Sequence, residues 1–254
     1  MSNENDLTRV ESLFVRHRNV LMVRAPFCDI FTDHYLHLAD HDLRYPPEID
    51  HQLKELYALL TLHAVARPWA ETHAWTVNLR APRVNFFVTA SSLSINVTGR
   101  AFLEDVREHP QSTLYSQVTQ NGEKPRMSTV ELETSNPFDW LEHYYRQSEQ
   151  RPAKVFELPD EVFVLLAAQP DYDEEWFENL DLDQVAQMND TEDLSPLENR
   201  FFKFECGCSL ERIVPALGIW RERPEELFQG EPSVEISCPR CAAKYRVTPE
   251  DLNS

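Results

Sequence analysis

The sequence predicts an α+β fold: an N-terminal antiparallel-sheet domain with helices, a helical acidic linker, and a small C-terminal domain organised by cysteines. Three observations predict it. Up to residue 168, short strand-like apolar runs are interrupted by only two helical patterns. From Val155 to Asn199 there is no Lys or Arg, but there are fourteen Asp or Glu. Four of the five cysteines lie beyond residue 205, as Cys206-Gly207-Cys208 and Cys238-Pro239-Arg240-Cys241. The boundaries that follow are 1–168 for the core domain, 169–199 for the linker and 200–254 for the C-terminal module.

Each element has a local reason. Leu13 to Arg24 reads as a strand pair around the polar turn Arg16-His17-Arg18-Asn19. Pro46-Pro47 breaks the chain, and a helix follows from about Glu48 to Ala66, with Leu53, Leu56, Tyr57, Leu60 and Ala64 on one face. Pro68 stops it. Ala74–Leu79, Val84–Thr89 and Leu93–Thr98 are strand-like, and Thr113–Val118 and Met127–Leu132 flank a turn signalled by Asn121-Gly122. Asn136-Pro137 is a cap-then-proline start for a helix over Phe138–Gln150. Val155–Leu158 and Val162–Ala168 complete the sheet.

The linker from Asp171 to Glu198 mixes acids with Trp176, Phe177, Leu180, Leu182, Val185 and Leu194. An ordinary solvated helix is one reading. A connector that docks under some conditions and loosens under others is the sharper one. In the module, Phe201–Glu205 is a strand into Cys206. Ser209 is the candidate cap of a helix ending at Gly218, and a second helix starts at Pro224. Val234–Ser237 and Lys244–Val247 form a hairpin around the second cysteine pair, and Thr248-Pro249-Glu250-Asp251 starts a last turn.

Composition excludes several classes. The chain has 254 residues, 42% of them hydrophobic, enough for a real core. With only 5 Gly it holds no phosphate-cradling glycine loop. The polar, acidic start argues against a signal peptide, and the longest apolar runs are too short for a membrane span. A net charge of −19 repels nucleic acid and anionic lipid. Cysteines clustered rather than scattered fit a reducing cytoplasm.

The cysteine quartet carries the chemistry. A C-x-C pair, 29 residues and a C-x-x-C pair supply two half-sites for one tetrahedral ion, and soft thiolates select zinc over magnesium or calcium. Gly207 permits the bend between Cys206 and Cys208, and Pro239 fixes a dihedral between Cys238 and Cys241. Four thiolates leave no open position for water or substrate, so the site reads as structural and no catalytic residue is assigned. In a module of some 55 residues, metal binding of roughly 10–16 kcal/mol is a large part of the folding energy. The same thiolates are oxidisable. Elsewhere, Cys28 reads as a buried core cysteine. His34, His37 and His41 read as part of a polar surface segment, with a second metal site as the sharper alternative.

Phe204-Glu205-Cys206-Gly207-Cys208-Ser209-Leu210-Glu211-Arg212-Ile213, Ala216-Leu217-Gly218, Val234 through Cys241, and Tyr245 through Leu252 together resemble the heat-shock protein 33 family of redox-regulated holdase chaperones. Tyr144 through Pro152 resembles that family's segment around a Ser-Glu-Gln motif, here Ser148-Glu149-Gln150. Before residue 138 the match is weaker, with Thr98-Gly99-Arg100-Ala101-Phe102 the nearest remnant of the family's glycine-rich stretches. The resemblance implies zinc held by Cys206, Cys208, Cys238 and Cys241 in the reduced protein. It implies oxidation to Cys206–Cys208 and Cys238–Cys241 disulfides with zinc release, and unfolded client proteins as partners of a homodimer when active. It assigns no client-binding residues. The competing readings are a zinc-ribbon adaptor binding a protein or nucleic-acid partner, which the charge disfavours, and a zinc enzyme, which the full thiolate shell disfavours.

Overall fold

A computed structural model describes residues 7–120 and 123–253. The first hairpin is β1 (Thr8–Val15) and β2 (Val20–Pro26), and two helices follow, α1 (Cys28–Asp40) and α2 (Pro47–Val65). The middle strands are β3 (Glu71–Leu79), β4 (Val84–Ser91), β5 (Asn96–Phe102), β6 (Thr113–Gln120) and β7 (Arg126–Glu131). Helix α3 (Pro137–Tyr144) leads to β8 (Ala153–Leu158) and β9 (Val162–Ala168). The acidic segment folds into three short helices, α4 (Glu174–Glu178), α5 (Leu182–Ala186) and α6 (Met188–Thr191), and then into β10 (Leu194–Phe204).

These ten strands make one sheet in the order β7-β6-β3-β4-β5-β10-β1-β2-β9-β8. All neighbours are antiparallel except β10 and β5, which pair in parallel through Lys203–Asn96 and Phe204–Val97. β10 therefore joins two sets of strands, with its first part along β1 and its end along β5.

From Leu56 to Val65 helix α2 is buried on every face and nearly all apolar, as a helix inside a core must be. Leu53, Leu56, Tyr57 and Leu60 have no exposed surface, and the helix packs across β3, β4, β5 and β9. Gly99 makes that approach possible. A Cβ there would lie 2.4 Å from the Phe87 carbonyl oxygen and 3.0 Å from the Tyr57 ring.

The module contains α7 (Leu210–Ile213), a 3-10 turn over Val214–Leu217, α8 (Ile219–Glu222), α9 (Pro224–Phe228) and the hairpin of β11 (Val234–Ser237) and β12 (Lys244–Val247). Its apolar residues form two small clusters. Ile213, Cys238, Cys241 and Ala243 surround the cysteines, and Val214, Phe228, Val247 and Leu252 lie beside them. Phe202 and Phe204 belong to the core of the large sheet instead.

Several sequence expectations shift. The strand expected over Leu93–Thr98 lies at Asn96–Phe102, because Leu93 sits exposed in the β4–β5 turn. The helix expected through Gln150 is α-helical only to Tyr144 and widens into a π turn over Tyr145–Glu149, ended by Gln150 in the left-handed region. That turn places the Tyr145 hydroxyl 3.1 Å from His63 Nδ1 in the core. The strand expected from Phe201 starts at Leu194, pairing with β1. The helix expected from Ser209 to Gly218 is broken into single turns, and Ser209 makes no side-chain capping bond. Cys28 is exposed rather than buried, since it opens α1 on the solvent side, beside Asp29. The Asn121-Gly122 turn lies outside the described residues.

Candidate metal centre

β10 delivers the first half-site. Phe204 is anchored against the rings of Tyr57, His34 and His37, each with a centroid 5.4 Å away, and the chain then turns out of the sheet into Cys206. Gly207 adopts φ +65°, which glycine takes without strain and which brings Cys206 and Cys208 to one side. The β11–β12 hairpin supplies the second half-site. Its turn closes through Cys238 N–H to the Ala243 carbonyl at 2.8 Å and Ala242 N–H to the Cys238 carbonyl at 2.9 Å, with Ala242 at φ 65°.

All four sulfurs lie within 4.8 Å of one another. Cys206 and Cys238 Sγ are 3.7 Å apart, and Cys208 and Cys241 Sγ are 3.5 Å apart. Four sulfurs bound tetrahedrally at about 2.3 Å sit about 3.8 Å from one another, so the arrangement fits a single tetrahedral ion. Cys238 and Cys241 are buried, while Cys206 and Cys208 are partly open.

Hydrogen bonds from Cys206 and then Cys241 hold the Cys238 thiol far below its ordinary range. Its bond to Cys238 pushes Cys206 up to about 12, and the bonds to Cys206 and then Cys238 push Cys241 up further. Four converging sulfurs whose thiols compete for protons are an arrangement that a divalent cation relieves. Tyr245 adds a bond beyond the sulfurs, its hydroxyl lying 3.1 Å from Cys208 Sγ and donating to the Cys208 carbonyl at 3.1 Å.

The histidines singled out in the sequence do not form a second metal site, and they are not a plain polar surface. His34 is buried, with Nε2 3.0 Å from Asp50 Oδ1 and Nδ1 3.4 Å from the Tyr57 hydroxyl. His37 and His41 face the module. His37 Nε2 lies 2.8 Å from the Cys241 carbonyl, and Lys244 N–H reaches His41 Nδ1 at 3.3 Å. Burial lowers the His37 pKa. From β5, Arg100 Nη1 donates to the Cys238 carbonyl at 2.9 Å. Nothing in the sequence marks Arg100; for His37 and His41 the histidine spacing is the one visible signal, and their partners lie some two hundred residues away.

The acidic segment is docked. Phe177, Leu180, Val185 and Met188 are buried against Leu13, Val15, Val20 and Met22 of the first hairpin and Val164 and Leu166 of β9. Arg18, in the β1–β2 turn, pins the outside: it bonds Asp173 at 2.6 Å and Glu192 at 3.2 Å, and its guanidinium lies 5.2 Å from the Trp176 ring. Trp176 Nε1–H donates to Glu192 at 2.8 Å. Among the described residues no helix is long and apolar enough to cross a membrane.

Residues 164–248 match the family model described as Hsp33 protein. A curated relative, the 33 kDa chaperonin of Caldanaerobacter subterraneus subsp. tengcongensis, is 29% identical over 158 residues, covering 51% of this chain and 54% of the relative. These matches support the Hsp33 family. The fold agrees: the crystal structure of the 33 kDa chaperonin (heat shock protein 33 homolog) from Thermotoga maritima superposes with a TM-score of 0.71, at 16% identity, over 97% of this chain and 96% of that one. The sequence match thus spans about half the length of the curated relative. The Hsp33 model begins in β9 and runs through the acidic helices, β10 and all four cysteines. The N-terminal strands and α1–α3 lie outside it.

Proposed function

We propose that this chain is a redox-regulated holdase whose four clustered cysteines hold zinc in the reduced state. The observation that carries the reading is the pairing of an all-thiolate centre with an acidic segment packed over an apolar sheet face. Zinc fits the donor set, being borderline-soft and indifferent to redox, and when bound it supplies the folding energy of the module.

The chemistry balances on the cysteines. In each pair, Cys206–Cys208 and Cys238–Cys241, two thiolates lose two electrons and form one disulfide. A peroxide molecule takes the two electrons, and two protons from solvent, and leaves as two waters. Two such steps leave no thiolate to ligate an ion. The small ring closed by Cys206–Cys208 is strained, which favours reversal by cellular reductants. A module that has lost its metal unfolds, and the neighbouring acidic segment, rich in like charge, loosens from the sheet. The apolar face it leaves then binds unfolding proteins.

In this reading residues 1–168 bind clients and form the homodimer, 169–199 are the mobile cover and 200–254 are the switch, working in the cytoplasm. The test is direct. Peroxide or hypochlorite should release one zinc per chain, and only the oxidised protein should suppress light scattering by an aggregating client. Equal suppression by the reduced, zinc-loaded protein overturns the switch.

A further inference from the structure

We propose that His37 and Arg100 are positioning residues that grip the module through the backbone of its C-x-x-C turn, so that docking on the core depends on the metal-holding shape of that turn. The inference rests on the metal-holding reading of the cysteines and goes beyond it to the docking contact.

The geometry is specific. The two carbonyls that the core takes are those of Cys238 and Cys241, the two ligand residues of one half-site. A carbonyl oxygen only accepts, so His37 carries its proton on Nε2 and donates. A backbone N–H only donates, so His41 accepts from Lys244 through Nδ1 and carries its proton on Nε2. The grip comes from two separate elements, α1 and β5. Both gripping groups are held in place. Arg100 lies 4.1 Å over the Phe102 ring, and His37 packs edge-on against Phe204.

These contacts read backbone shape, not module side chains. The distance and direction between the Cys238 and Cys241 carbonyls are set by the turn that also brings their sulfurs together, and a shared ion would hold that shape. Pulling the two sulfurs into a covalent bond, or letting them part, moves at least one carbonyl away from its donor. The module then loses its hold on the core at the point where it loses its metal.

The test compares wild type, the double variant His37→Ala/Arg100→Ala and the single variant His37→Gln, each reduced and loaded with zinc, with metal content measured on every sample. Backbone 15N relaxation reads how the module tumbles relative to the core. Wild type should show one common correlation time, and chelation should abolish it. The double variant should keep one zinc per chain while its module's correlation time falls at least twofold below that of the core. His37→Gln should tumble as wild type, because its amide N–H still reaches the carbonyl. A zinc-loaded double variant that tumbles as one body overturns the grip while leaving the zinc reading intact, as does chelated wild type that stays docked. Wild type that takes up no metal overturns both.

Discussion

Gly99 shows how little room the core leaves at single positions. It lies in β5 opposite Val88, under the Tyr57 ring of α2, and Tyr57 in turn donates to the Gly99 carbonyl at 3.2 Å. Gly99→Ala forces a methyl onto a backbone oxygen that cannot move without shifting β4. The expected loss is about 1–3 kcal/mol, read as a lower urea midpoint at unchanged slope. His73 makes a second residue-scale case. It is fully buried near His63, and burial first, then the charges of Arg67, Arg126 and Arg200, lower its pKa to about 3. Because the folded value lies below the ordinary one of about 6.5, the unfolded chain takes up protons first as pH falls. The contribution of neutral His73 is therefore complete above pH 6.5 and drains away as the pH falls toward 3, by about 2 kcal/mol at pH 5. His63, pushed in the same direction by burial, adds to that slope. Denaturation midpoints measured from pH 7 to 5 should fall in wild type and fall less in His73→Phe.

Among elements, the acidic helices depend on the sheet beneath them. α4, α5 and α6 are four or five residues each, too short to persist without the sheet beneath them. α4 and α5 are capped, with Asp173 accepting from Trp176 N–H and Asp181 closing a capping box with Gln184, while α6 has no side-chain cap. Packing of Phe177, Val185 and Met188 decides whether they stay. Val185→Asp places an unpaired charge in that contact and should free the segment in the reduced, metal-loaded protein. Raised binding of a hydrophobic dye without oxidant, and protease cleavage between residues 170 and 193, are the readouts. Arg18→Ala should raise cleavage there too, but shift global stability by under about 1 kcal/mol, since its ion pairs are partly exposed.

These helices also show what the sequence could say. The cysteine spacing and the strand alternation are local signals, and both were legible. The acid-rich composition marked the segment as separate, yet left open whether it docks, because docking depends on the faces of β1 and β2, far away in sequence, as well as on neighbouring β9. β10 was half missed for the same reason. Ser195, Pro196, Glu198 and Asn199 look like linker, and only pairing with β1 makes them strand. The roles of His37, His41 and Arg100 were not legible at all, since what they recognise is main chain.

At the scale of the whole molecule, the metal centre and the sheet are linked through one strand. Removing the ion with a chelator under reducing conditions should melt the module and leave the large sheet folded, seen as collapsed amide dispersion for the module's residues beside a single remaining thermal transition of the sheet. Cys238→Ser should reproduce the chelated state without chelator, because three thiolates close the shell less tightly than four.

The position of β10 sets a limit on how far such melting can travel. The strand is a seam: β7, β6, β3, β4 and β5 lie on one side of it, and β1, β2, β9 and β8 on the other. Disorder entering from the cysteines meets this seam at Phe204, and disorder entering from the acidic helices meets it at Leu194. Short of the seam, everything that comes loose can refold onto an intact template. Beyond it, the two halves of the sheet lose the strand that pairs with both and are bridged by α2. The protein thus has a natural depth to which it can open and still close.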